Sequence, residues 1–206
     1  MKPIDQKIYL ASKSPRRREL LRQIGVEFEL LLLRENAPRG PDVPELVQPS
    51  ETPLAYVERV AREKAECASA IMLSRRLRMR PVLAADTTVM LNGRILNKPV
   101  DDADALSMLR MLSGSTHEVL TSIALKHDDA FWQTTHTSGV TFAPLSEETM
   151  RAYCALPEPY DKAGGYAIQG RAAQFISHIA GSHSSIMGLP LYETTQLLQQ
   201  AGIRIL

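Results

Sequence analysis

Leu10-Ala11-Ser12-Lys13-Ser14-Pro15-Arg16-Arg17-Arg18-Glu19-Leu20-Leu21 reads as the end of a strand, a turn and the start of a helix. Ser14 suits the N-cap, and Pro15 suits the first helical position, where a missing N–H costs nothing. Leu20, Leu21 and Ile24 then form an apolar stripe, and Gly25 is placed to end the helix. Arg16 and Arg17 therefore fall beside exposed backbone N–H groups at the positive end of the helix dipole, unfavourable for cations by about 0.3–1 kcal/mol each. A bound anion removes that conflict. Dipole, free amides, the Ser12 and Ser14 hydroxyls and two guanidinium forks together describe a phosphate site. An isolated arginine run reads more simply as a solvated basic helix end. Here the short apolar strand over residues 8–11 supplies the strand–turn–helix context that favours phosphate.

The rest of the chain gives that site a soluble setting. Its 206 residues suffice for one large domain or two small ones, and 44% hydrophobic against 23% charged residues allow a sizeable core. Lys+Arg 24 against Asp+Glu 23 gives a net charge of +1, so no global field points to nucleic acid or membrane, and phosphate affinity has to be local. No stretch reads as a signal peptide or approaches membrane-spanning length. Cys67 and Cys154 form no C-x-x-C pattern and read as free thiols in a reducing compartment. The expectation is a soluble, cytoplasmic protein.

Residues 26–33 form an apolar run of strand length, and the five prolines of residues 37–53 mark a mobile loop. Thr52 and Pro53 restart a helix with Leu54, Val57, Ala61, Ala65, Ala68 and Ile71 along one face, which Lys64 shares. A strand over 81–91 turns at Asn92-Gly93 into Arg94-Ile95-Leu96. Asp101, Asp102 and Asp104 start a helix that Ser113-Gly114 ends. Strands follow at 118–125 and 132–142, then a helix from Ser146, a Pro/Gly-rich loop over 157–170, a strand over 174–179 and a last helix opened by Gly188-Leu189-Pro190. Hairpin and crossover connections intermix, which predicts a mixed sheet flanked by helices.

Three places break the local rules. Asp86 follows Val82-Leu83-Ala84-Ala85, so a carboxylate enters a buried strand and needs a metal, a lysine or hydrogen bonds. A strand-end carboxylate pairing with backbone amides or with a structural lysine is the alternative. Lys64 on an apolar helix face and Lys98 before a proline each have a bland reading, as a snorkelling and a solvated lysine. Together with Asp86 and the helix-start arginines, they suggest one anionic site. The third place is Glu158-Pro159-Tyr160-Asp161-Lys162-Ala163-Gly164-Gly165-Tyr166-Ala167-Ile168-Gln169-Gly170, where glycines permit close approach and Asp161, Lys162 and Gln169 offer an acceptor, a cation and an amide. The run Arg75, Arg76, Arg78, Arg80 reads as a solvated helix end, with no aromatic interleaving for nucleic acid. No histidine has metal-ligand spacing.

Ser12-Lys13-Ser14-Pro15-Arg16-Arg17, Ala61-Arg62-Glu63-Lys64-Ala65, Ala85-Asp86-Thr87, Lys98-Pro99, Leu112-Ser113-Gly114-Ser115-Thr116-His117, Asp161-Lys162-Ala163-Gly164, Ile168-Gln169-Gly170 and Gly188-Leu189-Pro190-Leu191 occur in the order seen in the Maf family, which this chain resembles over nearly its whole length. The resemblance implies one α/β domain over residues 1–206, an elongated mixed sheet flanked by helices with two lobes around a central cleft, and usually a homodimer. It implies hydrolysis of a nucleoside triphosphate to the monophosphate and pyrophosphate with a divalent cation, Mg²⁺ or Mn²⁺. Family associations are with nucleotide-pool sanitation and cell-division arrest. Ser-Pro-Arg-Arg followed by Ala-Asp-Thr is similar to the branch acting on dTTP and UTP. Asp86 is then the proton acceptor, and Arg16, Thr87 and Gln169 set base specificity. The chain differs from the family at Arg34-Glu35-Asn36-Ala37, where an acidic pair is common and Glu35 is the candidate metal-side acid beside Asp86. It also differs at Ser184-Ser185-Ile186-Met187 and at Lys13.

Phosphoanhydride hydrolysis requires neutralised phosphate charge and a water in line with phosphorus. Ser12, Ser14, Arg16, Arg17, Lys64 and Lys98 are the expected phosphate ligands, Asp86 the base for attack on the α-phosphorus, and Gln169 a partner for a pyrimidine edge. The rival reading is a nucleotide- or nucleic-acid-binding regulator without turnover. Asp86 beside so many cations argues against it.

Overall fold

The computed structural model describes residues 6–34 and 40–206. The chain runs β1 (Ile8–Leu10), α1 (Pro15–Gln23), β2 (Phe28–Leu30), α2 (Pro53–Ser74), β3 (Val82–Leu91), β4 (Arg94–Leu96), α3 (Asp102–Leu112), β5 (Thr116–His127), β6 (Ala130–Phe142), α4 (Glu147–Cys154), β7 (Ile176–Ala180), α5 (His183–Ile186) and α6 (Leu191–Gln200). Among the described residues the strands form one seven-stranded mixed sheet in the order β2-β1-β3-β5-β6-β7, with β4 also on β3. The pairs β1–β2 and β1–β3 are parallel, and the pairs of β3 with β5, β5 with β6 and β6 with β7 are antiparallel.

Strand alternation decides which helix covers which face. In β3, Val82 and Ala84 pack with Ala61, Ala65 and Ala68 of α2, whose small side chains let helix and sheet approach closely. Leu83 and Ala85 point the other way, into Leu20, Leu21, Leu197 and Leu198 of α1 and α6. Further along that second face, Val89 and Val119 join Leu109, Leu112, Phe142 and Tyr153 in a separate apolar cluster under α3 and α4. Among the described residues no helix is long and apolar enough to cross a membrane.

Several elements depart from the sequence expectation. Only Phe28–Leu30 of the apolar run forms a strand, because β1 offers three residues to pair with, and at that sheet edge Leu30 and Leu32 are each 41% exposed. The β5–β6 hairpin extends to the His127–Ala130 pair, and Asp128, with φ 49°, makes the tight turn. Leu54 is 46% exposed, so the buried stripe of α2 starts at Tyr56 and Val57. The last strand starts at Ile176, after a 3₁₀ turn over Arg171–Phe175. The short helix α5 lies in a stretch given no element from sequence.

Candidate functional site

One edge of β3 is shared by two partners. β1 pairs with its beginning, at Val82 and Leu83, and β4 with its end, from Val89 onward. Between them Ala84, Ala85, Asp86, Thr87 and Thr88 have no strand partner on that side among the described residues. The gap exists because β1 stops at Leu10, where the chain turns through Ser12 and Ser14 into α1. The start of α1 therefore opens onto the middle of β3, the place where open α/β sheets hold ligands. A cleft of about 340 Å³ lies there, lined by residues of that turn, Lys64, Asp86, Thr87, Lys98 and residues 161–169.

Ser14 occupies the N-cap position of α1, yet its side chain makes no capping bond. Ser12 supplies the local order instead: its Oγ accepts the Ser14 N–H at 3.2 Å and an Arg17 Nη1–H at 3.1 Å. The Ser14 hydroxyl thus stays at the cleft. Arg17 turns inward, donating from Nε to the Gly188 carbonyl (2.7 Å) and from Nη2 to Thr87 Oγ1 (3.2 Å). Burial pushes its pKa down while Asp86 opposes that shift, and an arginine stays charged regardless. Three of its five N–H groups are engaged, which leaves one on each terminal nitrogen. Arg16 and Lys98 line the cleft without an ion pair to any described residue.

The buried carboxylate has found its lysine. Asp86 is 6% exposed, and its Oδ1 accepts from Lys64 Nζ at 2.8 Å. Lys64 also meets Glu45 Oε1 at 2.6 Å. Burial alone would lower the Lys64 pKa, but Asp86 and Glu45 outweigh it and hold the ammonium above its ordinary value. Burial likewise opposes ionisation of Glu45, and Lys64 overrides it, so the Glu45 pKa is lowered. Lys64 therefore serves two carboxylates before any substrate arrives, and the trio carries one net negative charge.

Sequence reasoning missed Glu45, since a glutamate among prolines reads as surface loop. The described part of that loop is tied down: Tyr56 OH donates to the Glu45 carbonyl (3.3 Å) and Arg59 Nη2 to that of Leu46 (2.9 Å). The lysine on an apolar face was the available signal that carboxylates must converge on it. Glu35, the metal-side acid expected from sequence, lies outside the described residues. Among the described residues no three His, Cys, Asp or Glu side chains form a metal cluster.

Residues 161–169 form the opposite wall. Gly164, at φ +72°, brings its backbone against Val89, where a Cβ would sit 3.0 Å from that side chain, and donates to the Asn97 carbonyl at 3.1 Å. Gln169 lines the cleft from this wall and is exposed, with Tyr166 and Ile168 buried behind it. Lys162 is not a free cation, because Nζ donates to the Glu158 carbonyl (2.9 Å) and to Asp161. Of the basic run after α2, Arg75, Arg76 and Arg78 are exposed, as a solvated helix end would be, whereas Arg80 is 8% exposed and pairs with Glu29 at 2.7 Å.

Fold and site define an α/β protein with an anion-ready helix start and a carboxylate–lysine centre facing one cleft. The chain belongs to the Maf-like protein family, whose model matches residues 7–201. It is 54% identical to a Nitrosospira multiformis protein named dTTP/UTP pyrophosphatase, over 98% of each chain. Proteins of the same name from Aromatoleum aromaticum and Dechloromonas aromatica are 53% and 50% identical, over 98% and 96% of this chain and 98% of each relative. The fold also resembles that of the Staphylococcus aureus Ham1 protein, with a TM-score of 0.50 and 13% identity, covering 95% of this chain and 99% of that one.

Proposed function

We propose that this protein hydrolyses dTTP and UTP to the monophosphate and pyrophosphate. The observation that carries the reading is Asp86, buried in the gap of β3 and held by Lys64 at 2.8 Å opposite the basic start of α1. Asp86 Oδ1 is fixed by Lys64, and Oδ2, with no hydrogen bond to a described residue, is the oxygen to accept a proton from water. Arg16, Arg17, Lys98, the first amides of α1 and the Ser12 and Ser14 hydroxyls neutralise and orient the phosphates. Attack on the α-phosphorus releases pyrophosphate. Thr87 and Gln169 take the base, and Arg16 shares in that selection. The relatives' shared name supports the choice of dTTP and UTP.

The residues present suit a divalent cation. Asp86 and Glu45 both contact Lys64 Nζ, at 2.8 and 2.6 Å, which brings the two carboxylates close together at the cleft. Two carboxylates plus substrate phosphate oxygens form the hard-oxygen donor set of Mg²⁺ or Mn²⁺. When bound, such an ion supplies charge neutralisation on the phosphates. The same reading takes residues 1–206 as one working domain, acting in the cytoplasm as a homodimer. Its test is product analysis with UTP and Mg²⁺: UMP and pyrophosphate are expected, whereas UDP and orthophosphate would overturn attack at the α-phosphorus.

A further inference from the structure

Behind the cleft runs a hydrogen-bond chain whose direction is settled throughout. Arg17 Nη2 is 3.2 Å from Thr87 Oγ1, the Thr87 and Thr121 hydroxyl oxygens are 3.0 Å apart, and Thr121 Oγ1 is 2.8 Å from the Ser185 carbonyl. A guanidinium only donates, a carbonyl only accepts, and each threonine has one hydroxyl proton. Thr121 therefore spends its proton on Ser185 and accepts from Thr87. Thr87, its proton turned away, faces Arg17 as an acceptor. Without an acceptor at position 121 that proton has no fixed direction, and some rotamers aim it at the guanidinium.

Packing gives no reason for a hydroxyl at this position. Thr121 is fully buried, and along its face of β5 its neighbours are Val119 and Ile123, which belong to two different apolar clusters. A valine would match its shape there. Its loss would not strand the Ser185 carbonyl either, because the Gly188 amide also donates to it at 2.8 Å.

We infer that Thr121 is a positioning residue for substrate binding. Acting through Thr87, it holds the Arg17 fork so that the two remaining N–H groups present paired donors to an acceptor in the cleft. This rests on the proposed reading only in taking a nucleoside triphosphate as the ligand.

The probe is UTP with an imido bridge between the α- and β-phosphorus, titrated by calorimetry into wild type, Thr121→Val, Thr121→Ser, Thr87→Val and the double valine variant. Thr121→Val, assayed well below its melting temperature, should weaken binding about tenfold, and Thr121→Ser should restore it to within about twofold. In the Thr87→Val background, Thr121→Val should add nothing, since the two act as one unit. With UTP itself the loss should fall on KM and spare kcat. Wild-type affinity in Thr121→Val overturns the inference, and so does a Thr121→Ser protein that binds as weakly as the valine variant. Should Thr121→Val not fold, the smaller Thr121→Ala carries the same expectation. A wild-type protein that binds the analogue but cleaves no UTP overturns the pyrophosphatase reading and leaves the positioning role to be decided by the affinities.

Discussion

Acidification from about pH 7 to about pH 4 should withdraw stability through one histidine. His117 is 1% exposed, its Nε2 is 2.7 Å from Tyr166 OH, its Nδ1 has no hydrogen-bond partner among the described residues, and Phe142 and Tyr166 meet it edge-on. Burial lowers its pKa from 6.5 to about 4. The folded value lies below the unfolded one, so between them the unfolded chain binds more protons. The stability is therefore present above the unfolded pKa and is lost as the pH falls towards the folded one. Linkage between 6.5 and about 4 gives a loss of about 2 kcal/mol by pH 5 and about 3 kcal/mol by pH 4. That is a large share of the roughly 5–15 kcal/mol that stabilises a typical domain. Urea unfolding of wild type and His117→Gln at several pH values isolates it, because glutamine can still pair with Tyr166 but cannot titrate and other groups cancel in the difference. The stability gap between the two proteins should shrink by about 2 kcal/mol from pH 7 to pH 5. A gap constant to within about 0.5 kcal/mol over that range would falsify the account of His117 as a base held neutral by burial.

The remaining predictions concern the cleft and the loop that follows its wall. Asp86→Asn keeps the shape and removes the base, so kcat should fall about 100-fold or more while binding of the imido-bridged UTP survives; near-normal turnover in single-turnover assays would exclude that role. Gln169→Ala should narrow the preference for UTP over GTP, mainly by slowing UTP, by about one power of ten in kcat/KM; an unchanged preference would move base selection elsewhere. Gly170→Ala places a Cβ against the Glu158 carboxylate, which caps the Arg171 and Ala172 amides and accepts from Tyr153. Thermal unfolding should show a loss of about 1–3 kcal/mol, and a wild-type melting temperature would show that the carboxylate yields freely.

Local stereochemistry was legible wherever it depends on sequence neighbours. Pro15 at the start of α1, Gly25 with φ +73° after it, and Asn92-Gly93 with φ 50° and 79° at the β3–β4 turn all follow from which residues tolerate which backbone angles. The alternation of β3 and the stripe of α2 were likewise readable. Asp86 and Lys64 stood out because a charge inside an apolar period requires a partner. Ser14 takes the N-cap position expected of it but without a side-chain capping bond, while Ser12 Oγ accepts the Ser14 N–H and an Arg17 N–H, a partner that local sequence does not reveal.

The strand–turn–helix at the start of the chain and the presence of two misplaced charges needed nothing beyond residue order, because backbone preference and burial cost act over a few residues. Who meets whom needed the closed fold. Lys64 and Asp86 are 22 residues apart, and Arg17 and the Gly188 carbonyl 171. Glu45 carries no periodic signal, and only its loop, tied to Tyr56 and Arg59, delivers it to Lys64. Thr121 reads as an ordinary strand residue until antiparallel pairing sets it opposite Thr87 and α5 lays the Ser185 carbonyl over it. A side chain's chemistry is written in its type. The partner that uses that chemistry is chosen by strand register and helix placement, which only the packing of the whole chain decides.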